Sequence, residues 1–159
     1  MPALLRHARA TYGEAMRRAL AKAGIDDIPG NGLFVLGALA MGDYPAGYLA
    51  RDLRISKQAA GQLIDALVLR GYLTREIDPE DRRRIALKLT ERGAAAAAIQ
   101  AAERGRIDAE LARRVGDDAV KQARLALATL IAIGIEESEE TTKQARAALA
   151  TLMSLGQED

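Results

Sequence analysis

A mainly helical fold carrying one small β-hairpin is predicted for this 159-residue chain, and three observations predict it. Apolar residues recur at three- and four-residue steps over most of the length. Residues 45–71 hold two short helical patterns joined by a turn at Ile55-Ser56. Residues 72–93, YLTREIDPEDRRRIALKLTERG, run from one strand-like segment through the acidic turn Asp78-Pro79-Glu80-Asp81 and the cations Arg82, Arg83 and Arg84 into a second. A helix-turn-helix followed at once by a hairpin with a cationic tip reads as a winged helix-turn-helix shaped to grip duplex DNA.

The elements follow in order. Residues 3–23 read as an amphipathic helix through Leu4, Leu5, Ala8, Tyr12, Ala15, Met16, Ala19 and Leu20, ended by Gly24 and the turn-rich IDDIPGNG. Residues 31–41 form a short apolar helix, with Leu33, Phe34, Leu36, Leu39 and Met41 expected to be buried on most sides. Pro45 suits a first helical turn, and Leu49, Ala50 and Leu53 share a face over 46–53. Ser56 is placed to cap a helix over 57–70 whose buried stripe is Ala60, Leu63, Ile64 and Leu67. Gly71 ends that helix. After the hairpin, Thr90 can cap a long helix over about 91–115. Gly116-Asp117 interrupts it, and Val120, Ala123, Leu127, Leu130 and Ile131 then share a face.

Composition narrows the function. Apolar residues make up 49% but aromatics only 3%, so alanine-rich helices pack closely around a thin core. No run of 18 apolar residues exists to span a membrane, and the N-terminus lacks the apolar stretch of a secretory signal. Absence of cysteine excludes disulfides and thiolate chemistry. A single histidine without cysteine makes no transition-metal site, and neither a nucleophile–base pattern nor a phosphate-binding glycine loop is present. Neither a cofactor nor an enzyme is therefore expected, and a cytoplasmic location is. Net charge is only +1, but residues 45–93 carry ten Lys or Arg against seven Asp or Glu, whereas 94–159 carry eight against eleven. Positive charge sits where the motifs sit.

A helix in the major groove needs short or polar side chains outward. Gln58 and Gln62 can each donate to and accept from a base, Lys57 can reach a phosphate or guanine, and Ser56 a phosphate. Gly61 permits close approach, and Asp65 completes the stripe. At the hairpin tip a planar guanidinium suits the negative potential of the minor groove. Asp81 stands two residues before Arg83 and can hold it extended. Alternatively, the DPEDRRR run is a solvated charge cluster that neutralises itself.

The segment LARDLRISKQAAGQLIDALVLRGYLTREIDPEDRRRIALKLTERG resembles the winged core of the MarR family of bacterial transcriptional regulators. The likeness is carried by Leu49-Ala50, Ser56 through Leu67, Gly71, DPEDRR, Leu89-Thr90 and Gly93, and that family's wing motif Asp-x-Arg falls on Asp81 and Arg83. The resemblance implies a homodimer with two DNA-binding lobes on a pseudo-palindromic operator. Residues 1–30 and 94–137 would then be dimerisation helices, and 31–93 the winged helix-turn-helix domain with recognition helix 57–70 and wing 72–90. It also implies a repressor relieved by a small phenolic or other aromatic ligand, for which His7, Tyr12 and Met16 are the candidate contacts. Two positions depart from the family pattern. Arg54 stands in the turn where glycine is common, and either strains it or adds a phosphate contact. Gly61 stands where a polar residue is common.

Residues 121–137, KQARLALATLIAIGIEE, return as 143–159, KQARAALATLMSLGQED, identical at eleven of seventeen positions. This segmental duplication makes 138–159 an extra helix, which extends the preceding one or folds back on it; Gly134 and the cap-like Ser138-Glu139-Glu140 favour a break. Two other functions compete with DNA binding. A protein-interaction module would dock its wing on an acidic partner, although the outward glutamines of the recognition helix favour DNA. An enzyme lacks any constellation to support it.

Overall fold

A computed structural model describes residues 1–42, 48–77 and 85–134. The chain divides into two compact units, Met1–Asp108 and Ala109–Asp159.

In the first unit, α1 spans Pro2–Lys22, α2 Gly32–Ala40, α3 Leu49–Leu53 and α4 Lys57–Leu69. Strands β1 (Leu73–Ile77) and β2 (Ile85–Leu89) follow, and then α5 (Glu91–Val115), which continues past the unit's end. The strands pair antiparallel in the register Leu73↔Leu89, Thr74↔Lys88, Arg75↔Leu87, Glu76↔Ala86 and Ile77↔Ile85. The sequence expectation for each element holds to within a residue or two; Pro45 and the expected start of α3 lie outside the described residues.

The core joins Leu20, Ile28, Leu33, Val35, Leu36, Leu49, Ala60, Leu67, Tyr72, Leu73, Ala96 and Ala97. Of the α4 stripe, Ala60 and Leu67 are buried, and Leu63 and Ile64 pack against them half-buried. The expectation for α2 needs correction. Leu33, Val35 and Leu36 are buried, but Phe34 and Met41 face outward, Met41 at 87% exposure. Phe34 and Met41 lie seven residues apart, hence on one face, and that face is turned away from the core. Most of α1 is also exposed, with only Ala15 and Leu20 buried.

Helix α5 and the root of the wing approach each other closely at Gly93. A Cβ added to Gly93 would lie 2.1 Å from the Tyr72 carbonyl oxygen, so only glycine lets α5 start here. Thr90 binds the same junction: its amide donates to Tyr72 O (3.1 Å), its hydroxyl to Gly71 O (2.6 Å), and it accepts from the Gly93 amide (3.0 Å) as the cap of α5.

In the second unit, Gly116 takes a left-handed φ of 84° and ends α5. Residues 117–134 form a further helix, α6. Val120 is buried, whereas Leu125, Leu127, Leu130, Ile131 and Ile133 are all exposed. The duplicated segment 138–159 lies outside the described residues. No helix among the described residues is long and apolar enough to cross a membrane.

Candidate nucleic-acid interface

The turn between α3 and α4 is built around Arg54. Its φ of 53° and ψ of 45° put it in the left-handed region, and among the described residues it is the one non-glycine with positive φ. The conformation lets the Ile55 amide bond Ala50 O at 3.0 Å and the Arg54 amide bond Arg51 O at 3.1 Å, closing α3. Glycine would hold this turn without strain; arginine holds it at a cost of about 1–2 kcal/mol. Its side chain is exposed.

Ser56 then accepts from the Ala59 amide at 3.1 Å with extended backbone, the N-cap geometry expected. Its hydroxyl oxygen is thus engaged in the fold, while its own proton is left to donate outward. Beyond it Lys57, Gln58 and Gln62 are all exposed on α4. Between them lies Gly61, where an added Cβ would meet nothing within 4 Å. Packing against an added Cβ therefore gives no reason for glycine there, although a helical glycine costs about 1 kcal/mol relative to alanine.

Asp65 does not stand free on this stripe. It accepts from the Arg75 guanidinium on β1, tying the recognition helix to the wing. A ten-residue separation has no periodic signature, so the pair was not visible in the sequence. The wing itself is described up to Ile77 and again from Ile85; Asp81, Arg82, Arg83 and Arg84 lie outside the described residues.

A second group escaped sequence reasoning. The buried Tyr72 hydroxyl donates to the Asp27 carboxylate. Arg92 donates to both Asp27 oxygens (3.0 and 3.2 Å) and to Arg70 O (2.7 Å), and its guanidinium lies 4.4 Å from the Tyr72 ring centroid. The Tyr72 hydrogen bond, aided by Arg92, holds the Asp27 carboxyl below its ordinary value against the opposing effect of desolvation. Burial, then the Asp27 hydrogen bond, pushes the Tyr72 phenol up to about 12. The group fastens the loop after α1 to the end of the recognition helix and the root of the wing. The only sequence hint is Tyr72 itself, an aromatic directly after a helix-ending glycine.

The three ligand candidates on α1 are not brought together. His7 is exposed, whereas Tyr12 and Met16 are half-buried. At about 100° per residue His7 points some 140–180° away from the other two. The Tyr12 hydroxyl donates to Asp108. A separate groove of about 410 Å³ lies between α1 and α5, lined by Ala15, Arg18, Ala19, Lys22, Glu103 and Arg106. There Arg106, bonded through two nitrogens at 2.8–3.1 Å, holds the Glu103 carboxyl below its ordinary value.

A capped recognition helix after a tight turn, tied by Asp65–Arg75 to a two-stranded wing, defines a winged helix-turn-helix protein. Residues 26–84 match the model of the MarR family. Solved structures share the fold. The transcription regulator MarR of Oenococcus oeni PSU-1 has a TM-score of 0.62 at 16% identity, over 82% of this chain and 97% of its own. MepR of S. aureus in its DNA complex has a TM-score of 0.65 at 17% identity, covering 83% and 96%. The transcriptional repressor CouR, bound to a 23-mer DNA duplex, has a TM-score of 0.62 at 25% identity, covering 82% and 91%. No curated protein matches the chain in sequence.

Proposed function

We propose that the protein is a homodimeric, cytoplasmic transcriptional repressor that lays α4 in the major groove of a pseudo-palindromic operator and the wing in the adjacent minor groove. The observation that carries this reading is the outward face of α4. Lys57, Gln58 and Gln62 project from a helix whose glycine, Gly61, would admit an added Cβ with nothing within 4 Å. Close approach of a nucleic-acid surface supplies the missing reason. On this reading Arg54 and Ser56 contact phosphates, the glutamines read bases, Asp81 braces Arg83, and Arg82 and Arg84 flank it. The DNA complexes of MepR and CouR support the docking mode by likeness of fold.

The homodimer rests on exposure. Met1 and Leu4 on α1, Leu111 and Val115 on α5, and Leu127, Leu130 and Ile131 on α6 are large apolar groups left in water by a single protomer. Residues 1–30 and 94–137 would bury them between two copies. Relief by a small aromatic ligand fits two places on α1: the Tyr12–Met16 face, with His7 as a contact only from the opposite side, and the groove where Arg18 and Lys22 stand beside the Arg106–Glu103 pair, whose net positive charge suits an aromatic acid.

Mobility-shift titration on the DNA upstream of the gene for this chain tests the reading. Two half-sites about 10 base pairs apart are expected, with affinity falling steeply as salt rises. A dimer indifferent both to DNA and to salt would instead indicate a winged module for an acidic protein partner.

A further inference from the structure

The exposed side of α4 carries an acid that a helix facing DNA has to account for. At about 100° per residue, Gln58, Gln62, Asp65 and Leu69 fall within one arc of roughly 60°, opposite the buried Ala60 and Leu67. All four are exposed. Against a polyanion, a carboxylate inside this arc repels the phosphates unless its charge is offset and its oxygens are used.

The offset comes from β1. Arg75 shares the inward face of the hairpin with Leu73, two residues earlier, and with Leu87, directly across the ladder. From that face its Nη2 donates to Oδ1 of Asp65. The second carboxylate oxygen has no hydrogen-bond donor among the described residues. As a fastening the pair is weak. The Asp65 side chain is 64% exposed and that of Arg75 41%, and ion pairs so open to water add little to stability. Stability is therefore a poor reason for an acid at this place, and recognition is a better one.

Spacing and chemistry fit a base edge. Gln58, Gln62 and Asp65 lie four and three residues apart, so Asp65 stands about 10.5 Å along the axis from Gln58, close to three base-pair steps of about 3.4 Å. A free carboxylate oxygen can only accept. In the major groove cytosine offers its exocyclic amine alone, whereas the amine of adenine stands beside the N7 acceptor, which repels a carboxylate.

We propose that Asp65 determines sequence preference by accepting, through its second oxygen, from the exocyclic amine of a cytosine, and that Arg75 is the positioning residue that keeps this oxygen outward. The proposal deepens the reading of α4 as the major-groove helix and rests on it. Arg75 acts twice: it offsets the charge that the phosphates would repel, and it occupies one oxygen so that the other is left for the base.

The isosteric change Asp65→Asn tests this. With Arg75 in place, the amide must turn its oxygen to the guanidinium, which leaves its NH2 where the free carboxylate oxygen stood. A donor then faces the cytosine amine, and preference should pass to a base presenting an acceptor. Full-length proteins are titrated by mobility shift against duplex DNA from upstream of the gene and its single-base substitutions in each half-site. The wild type should favour cytosine about fivefold or more at one base pair, one or two steps from the pair at which Gln62→Ala relaxes preference. Asp65→Asn should disfavour cytosine there. In Asp65→Asn/Arg75→Ala the amide can turn either way, and no preference should remain at that pair. An unchanged preference, or affinity falling equally on every duplex as loss of a merely structural tie would give, would overturn the proposal. Preference lost without reversal in Asp65→Asn would overturn the part of Arg75. A wild type that binds none of the duplexes would instead refute the groove docking on which the proposal rests.

Discussion

The phenol of Tyr72 donates to the carboxylate of Asp27, forty-five residues earlier, and so joins the root of the wing to the loop that follows α1. Arg92 closes the group from the first turn of α5, stacking on the ring it shares with Asp27. The recognition helix ends inside this group, because Arg92 also takes the carbonyl of Arg70. Position and angle of the wing therefore depend on residues that never face the proposed DNA.

Tyr72→Phe keeps the ring and its contact with Arg92 but removes the hydroxyl. Loss of one hydrogen bond to a charged acceptor should cost about 1–2 kcal/mol, since Asp27 is partly open to water and keeps Arg92. Denaturant unfolding of the two proteins measures it. The raised phenol pKa adds a sign. Because the folded value lies above the ordinary 10.0, stability from this group is fully present below pH 10 and is lost as pH rises towards about 12. Ultraviolet titration should show a phenol ionising in that late window that is absent from Tyr72→Phe.

Asp27 works in the opposite direction. Its folded pKa is lowered from 3.8, so its contribution is present above that value and fades as pH falls through the lowered one. Asp27→Asn should narrow the gap in unfolding midpoint between pH 6 and pH 3. An unchanged gap would mean that other carboxylates govern the acid limb.

The helices, the Ser56 cap and the two strands were legible because each is written locally, in apolar periods of 3.6 or 2 and in turn residues at their ends. Tyr72–Asp27 and Asp65–Arg75 were not, because a pair of side chains separated by 45 or 10 residues leaves no period in the sequence. The misjudged outward faces of Phe34 and Met41 have a related cause. Helix α2 is only nine residues long and nearly all apolar, so its pattern cannot tell a buried side from one turned to solvent. On α4, by contrast, Lys57, Gln58 and Gln62 were legible as outward groups from the stripe opposite them.

Arg54 combines strain with charge. Arg54→Gly should stabilise the protomer by roughly 0.5–1 kcal/mol: the left-handed turn is relieved, and part of the gain is offset by the freer unfolded chain. The same change should weaken DNA binding and reduce the slope of log affinity against log salt by about one phosphate contact. A stabilised variant with an unaltered salt slope would confine Arg54 to a structural part.

Gly61→Ala separates helix stability from docking. With nothing within 4 Å of the new methyl, the helix should gain about 0.5–1 kcal/mol. If bases come as close as the proposed groove contact requires, the methyl enters that contact and operator affinity falls several-fold despite the firmer fold. Unfolding and mobility-shift titrations on one preparation check both halves. A gain in both would mean that the glycine is not kept for DNA.

The recognition helix and the wing should fail in different ways. On the proposed reading Arg83 enters a narrow groove, where the field depends on groove width, so Arg83→Ala should weaken operator binding by about 1–3 kcal/mol. Gln62→Ala removes a side chain able to donate to and accept from one adenine, so its loss should appear mainly as tolerance of base changes at that position in each half-site. Titrating both variants against the operator and a set of single-base substitutions tells the two apart. If Gln62→Ala kept full discrimination at every position while Arg83→Ala lost it, sequence would be read by the wing, and α4 would serve only to hold the protein in the groove.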